Sequence, residues 1–145
     1  MRFYASSGDE ARLTALLQRG IVTTEDKDKY MMVCHAPAQV TLAGHDGDLA
    51  EYMGVYELNG EVVHDGPLYV KSSGVKGYLF RNNNPKPDRI GKWMVTNSRD
   101  LIGDGSTGNR GFILSAEAAE LPSQPGLKWQ HNGGGWHDEP GMTCT

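Results

Sequence analysis

Cysteine is nearly missing from this chain: Cys34 and Cys144 are the only two in 145 residues. That excludes a disulfide-stapled scaffold and makes a cysteine-rich structural zinc site improbable. A bridge between the two would close a long loop and contribute about 4–5 kcal/mol in the chain-entropy account. Two reduced thiols are the expected state. Long apolar runs are absent too. None approaches the roughly 18 residues that span a bilayer, so membrane insertion is not expected. Nor does basic charge dominate, with 14 Lys and Arg against 18 Asp and Glu and a net charge of −4. A nucleic-acid binder usually carries a basic stripe that releases counterions. The nearest candidate, "NNNPKPDRIGK", is diluted by Asn, Pro and Asp. The opening "MRFYASSGDEARL" lacks the apolar core of a secretory signal, so an intracellular location is favoured.

Catalytic signatures are equally scarce. The chain has no G-x-S-x-G, no phosphate-binding P-loop and no dinucleotide fingerprint. Its five histidines, at 35, 45, 64, 131 and 137, show neither H-x-x-x-H nor H-E-x-x-H spacing. Cys34 and His35 are adjacent, and neighbours on a strand face opposite ways, so they form no nucleophile–base pair by themselves. No catalytic residue, metal or cofactor is assigned. An enzyme would need a pocket where His35, His64 or His137 meets a carboxylate.

Glycine, by contrast, is abundant, at 19 residues, most of them between short apolar runs. One helix is expected at the start. Ser7 is placed as N-cap, Glu10 closes a capping box, and Leu13, Leu16 and Leu17 share a face before Gly20 stops the element. This predicts a helix over 8–19 within an N-terminal segment, 1–28, packed on a β-rich domain, 29–145. From residue 30 the period changes. Apolar bursts at 30–35, 38–44, 54–58, 61–64, 67–71, 77–81, 92–96, 111–115 and 127–131 are each bounded by Gly, Asn, Asp or Pro. Short strands so spaced predict a mainly β fold, α+β at the margin: an antiparallel β-sandwich or a barrel-like meander with one N-terminal helix. "SAEAAEL" reads as about two further helical turns. Alternation puts Tyr78 and Phe80 opposite Leu79, Leu68 and Val70 opposite Tyr69, and Trp93 and Val95 opposite Met94. Both faces carry apolar groups, which predicts strands held between two layers, their aromatics mainly core.

Two resemblances follow from these residues. Ala5, Gly8, Asp9, Leu16, Leu17 and Gly20 resemble the outer helix of an ankyrin repeat. A lone repeat cannot bury its own face, and no second copy follows, so an ankyrin array is excluded. Over about two thirds of the chain, Gly54, Tyr56, Gly66, Pro67, Tyr69, Tyr78, Leu79, Phe80, Trp93, Val95, Pro125 and Trp129 resemble a Gly/Tyr/Trp-patterned module of algal and other protist proteins. The chain departs from that pattern at His64-Asp65-Gly66-Pro67, where Asn-Gly-x-Pro is expected. The resemblance implies a fold and no reaction.

Recognition is therefore sought in the loops, which strands position. Asp46, Asp48 and Glu51 resemble a calcium loop only in part, without its Gly at the sixth or Glu at the twelfth place, and read as a solvated turn. The polar stretch 97–111 offers Asp104 and Asn109, and its length suits a functional loop or a mobile connection. The stretch 132–141, "NGGGWHDEPG", offers Trp136, His137, Asp138 and Glu139. There an indole beside carboxylates would stack on a sugar or peptide, unless Trp136 folds back as a lid on the sheet. The expected function is a non-catalytic interaction module taking a protein or carbohydrate partner. The alternative is a structural accessory subunit docking through Met31, Met32, Tyr52 and Met53.

Overall fold

The computed structural model describes residues 36–145. The helix expected at 8–19, the run 30–35, Cys34, His35 and the proposed 1–28 segment lie outside them. The described chain folds as one antiparallel sheet of nine strands. These are β1 (Gln39–Ala43), β2 (Gly54–Val63), β3 (Gly66–Lys71), β4 (Tyr78–Arg81), β5 (Lys92–Thr96), β6 (Ile113–Ala118), β7 (Trp129–Asn132), β8 (Trp136–Glu139) and β9 (Thr143–Cys144). Their order is β8-β7-β6-β5-β4-β3-β2-β1-β9. Strands adjacent in sequence pair from β1 to β8, and the chain end returns to the free edge of β1, where Leu42 faces Cys144. The meander expected from the spacing is present, curled into a half-barrel. No described helix is long and apolar enough to cross a membrane.

The curl has local causes. Leu58 pairs with Tyr69 and Val62 with Pro67, so Asn59, Gly60 and Glu61 stand against Leu68 alone. Gly60 takes the left-handed φ of 83° that such a bulge needs. A second irregularity sets Ser115, Ala116 and Glu117 against Trp93. There the ladder loses a backbone acceptor, and the Ser115 hydroxyl replaces it, accepting from the Trp93 N–H at 2.8 Å while donating to the Glu117 carbonyl at 2.7 Å. Bulges bend a strand and increase its twist, which rolls the sheet.

Rolling produces two apolar clusters on opposite faces. The inner one joins Val40, Tyr56, Tyr69, Leu79, Trp93, Val95, Ile113 and Trp129. This one cluster runs from β1 through to β7. The outer one is smaller: Leu68, Phe80, Met94 and Leu114, covered by Ile102 of the 97–111 loop and flanked by Tyr78 and Trp136. The alternation read for Leu79 against Tyr78 and Phe80, and for Tyr69 and Trp93 against their neighbours, is thus observed. What covers the outer face, however, is an irregular loop and no second sheet.

Two local expectations are corrected. Residues 113–118 of "SAEAAEL" and its approach are strand, because Ile113, Leu114 and Ser115 pair with β7 on one side and β5 on the other. Local helix propensity loses to those ladders. The stretch 132–141 is a hairpin and not a free loop: Gly133–Gly135 make the turn, Gly134 and Gly135 at φ of 77° and 131°, and β8 follows at once.

Candidate functional site

The hairpin sorts its four candidate residues onto different faces. Gln130 pairs with Asp138, and Asn132 with Trp136, while Trp129 pairs with Glu139 and His131 with His137. Residues opposite each other on paired strands share a face. Trp136 and Asp138 therefore lie on the outer face, and His137 and Glu139 on the inner one. The indole and the Glu139 carboxylate do not serve one ligand. Asp138 is exposed and accepts from Gln130 Nε2 at 2.9 Å, while His137 Nε2 sits 3.0 Å from the Gly133 carbonyl of its own turn.

On the outer side, Trp136 meets the 97–111 loop. Together they form a cleft of about 330 Å³, at the lower end of the range of about 300–1,000 Å³ for small-ligand sites. Its walls come from three segments: Asn84, Lys86 and Arg89 after β4; Ser106 to Gly111; and Asn132 with Trp136. Met94 forms part of the floor. Three cations, Lys86, Arg89 and Arg110, line it with no acid among the lining residues. None of the three is in an ion pair among the described residues. The Arg89 guanidinium stands 5.4 Å from the Trp136 ring centre, a cation–π contact that holds it on the cleft wall. The half-buried indole is therefore a seat for Arg89 more than an open platform.

The loop is held by side chains that sequence reasoning had offered as ligands. Asn109, buried and at a left-handed φ of 62°, donates from Nδ2 to Asn83 Oδ1 at 2.7 Å and to the Gly105 carbonyl at 2.8 Å. Its Oδ1 accepts from the Asn83 N–H at 3.1 Å. Asp104 accepts from Asn83 Nδ2 at 2.5 Å. Both fix the loop to the segment after β4. His64 adds a further tie, its Nδ1 3.0 Å from the Arg81 carbonyl and its Nε2 2.7 Å from the Gly103 carbonyl. Arg99 holds Glu61 through two bonds of 3.0 and 3.1 Å. Gly108 is required there, since a Cβ would lie 2.5 Å from the Ile102 carbonyl oxygen.

The inner face carries a constellation that residue spacing did not reveal. Glu139 Oε2 lies 3.2 Å from His45 Nδ1 and 2.9 Å from His131 Nδ1. The two imidazoles are 4.9 Å apart, tilted by 46°, and His137 flanks His131 at 5.7 Å. His45 Nε2 accepts from the Leu49 N–H at 3.2 Å, which places the proton of a neutral ring on Nδ1. His45 follows β1, while the other two come from the β7–β8 hairpin. Register around a three-glycine turn was the one signal that would have placed His131 beside Glu139. Nothing in the sequence tied His45 to them.

A second, more apolar groove of about 580 Å³ is lined by Pro125, Leu127, Met142 and Cys144 among others. Beside it the Cys144 thiol is pushed up to about 12 by burial, so it stays protonated at neutral pH. No family model matches the chain, and neither a curated protein nor a solved structure was found similar to it.

Proposed function

We propose that the protein is a binding module whose outer cleft takes an acidic oligosaccharide, one bearing carboxylate or sulfate groups. The observation that carries this is the convergence of Lys86, Arg89 and Arg110 on one cleft with no lining acid, in a chain whose net charge is −4. Uncompensated cations gathered on one concave surface favour an anion, and guanidinium groups match carboxylate and sulfate oxygens in pairs. The side-chain amides of Asn84 and Asn132, lining the same cleft, suit sugar hydroxyls. Apolar lining is limited to Met94 and Trp136, which gives a peptide few anchors. The accessory-subunit alternative wants an apolar docking face, and the described residues expose only Val75 and Ile90 as large hydrophobics.

Tryptophan fluorescence tests this directly. Trp93 and Trp129 are 0% and 1% exposed, so a change on titration reports Trp136. Trigalacturonate or a heparin-derived tetrasaccharide should shift the emission saturably, and less as salt rises, while maltotetraose should leave it unchanged. Arg89→Ala or Arg110→Ala should weaken binding about 10- to 150-fold, the value of a charge-assisted hydrogen bond of about 1.5–3 kcal/mol. Saturation by an acidic hexapeptide and not by either saccharide would replace the carbohydrate by a protein partner. Equal response to maltotetraose would refute the anionic reading.

A further inference from the structure

The geometry points to a second site, on the inner face and independent of the cleft: His45, His131 and Glu139 bind a divalent first-row transition metal, with zinc the best fit. Two imidazoles and one carboxylate are a donor set that open zinc sites use, and one that ferrous iron also accepts. All three offer ligand atoms within 4.8 Å of one another. Metal–ligand bonds of about 2.0–2.1 Å separate neighbouring donors by about 2.9 Å at right angles and about 3.4 Å at tetrahedral angles. The observed separations from Glu139 Oε2, 2.9 and 3.2 Å, fall inside that span.

Hydrogen bonding alone fits less well. His131 Nδ1 is buried and lacks a hydrogen-bond partner, although Oε2 is only 2.9 Å away. The nitrogen is close to the carboxylate without being directed at it. A cation between the three groups satisfies that orphaned atom, whereas a proton on it does not. The elements are suited to hold a site: His131 and Glu139 ride on paired strands whose register is fixed. His131 and Glu139 are partly open, at 23% and 22% side-chain exposure, while His45 is nearly buried at 7%, so an ion reaches the site from the hairpin side. Three protein ligands leave a coordination position free for water or a ligand.

Binding at His45 Nδ1 has a specific consequence. The proton that Nδ1 holds moves to Nε2, and the Leu49 N–H, now facing an N–H, loses its acceptor. The Leu49 amide is therefore a reporter that a merely structural His–Glu–His contact would not move. Calorimetric titration of metal-stripped full chain with zinc should give one site, and cobalt should give the intense visible absorption of a four- or five-coordinate ion. In amide NMR spectra, Leu49 should shift in proportion to metal bound. Glu139→Gln, which retains shape, and His131→Gln should each weaken zinc at least tenfold, with thermal melting of the metal-free variants checking that they fold. The proposal is overturned if Leu49 stays still at saturation, or if folded Glu139→Gln binds zinc as the parent does. It is equally overturned if no single-site isotherm appears.

Discussion

Ser115→Ala probes the bulge that turns a flat sheet into a half-barrel. The hydroxyl accepts from the Trp93 N–H at 2.8 Å and donates to the Glu117 carbonyl at 2.7 Å, and Ser115 and Trp93 are both fully buried. Alanine fills almost the same space, so the cavity contribution is small and the loss is one of pairing. Leaving a buried donor without a partner costs about 1–3 kcal/mol. The Glu117 carbonyl, nearer the surface, regains water and adds less. The expected loss is about 2–3 kcal/mol. For a urea slope near 2 kcal/mol per molar, within the usual range of about 1–3, the midpoint falls by roughly 1–1.5 M. Equilibrium urea unfolding followed by Trp93 and Trp129 fluorescence measures it. Ser72→Ala is the comparator, because that hydroxyl makes an exposed bond to the Val55 carbonyl at 3.1 Å and should cost under about 0.5 kcal/mol. If Ser115→Ala costs no more than Ser72→Ala, the side chain does not hold the bulge and this account of the curl fails.

Alkaline solution should destabilise the protein steeply. Burial raises the Tyr56 and Tyr69 hydroxyls and the Cys144 thiol above their ordinary values, so the unfolded chain releases these protons first. The stabilisation from Cys144 is complete below about pH 8 and that from the two tyrosines below about pH 9; each fades once pH passes the group's unfolded value, at up to about 1.4 kcal/mol per pH unit. Urea midpoints between pH 8 and 11 will show this decline, and a flat profile would contradict it. Cys144, 7% exposed and protonated, should resist iodoacetamide at pH 8 in the native protein and react readily in urea, as read by peptide mass spectrometry. Asp65→Gly should stabilise by about 0.5–1 kcal/mol in the same urea assay. His64 and Asp65 form the β2–β3 turn at φ of 52° and 61°, the left-handed region that glycine enters without strain.

Much of the fold was legible because strand alternation is a strict physical period. Tyr69, Leu79 and Trp93 went to one face and Leu68, Phe80 and Met94 to the other, as the pattern required. Composition misled where tertiary pairing decides. The alanines and glutamates near 116–120 suggest helix, yet β6 lies between two strands that occupy its backbone. Three consecutive glycines suggest a loose loop, yet they close a hairpin. The cleft was half visible, since both suspected stretches contribute to it, Asn109 and Trp136 among its lining. Lys86 and Arg89 were visible only as a diluted basic run, because nothing local shows that residues after β4 stand against a loop beyond β5, and Arg110 lay in the suspected stretch without being singled out. The His45 and Glu139 contact joins positions 94 apart, and no spacing rule reaches that far.

The most direct test of the binding account is amide chemical-shift mapping of the full chain during titration with trigalacturonate. Resonances from 84–89, 106–111 and 132–136, with the Trp136 indole N–H, should move together and saturate together. Shifts centred on the groove at 123–128 and 140–145, or none at all, would contradict it.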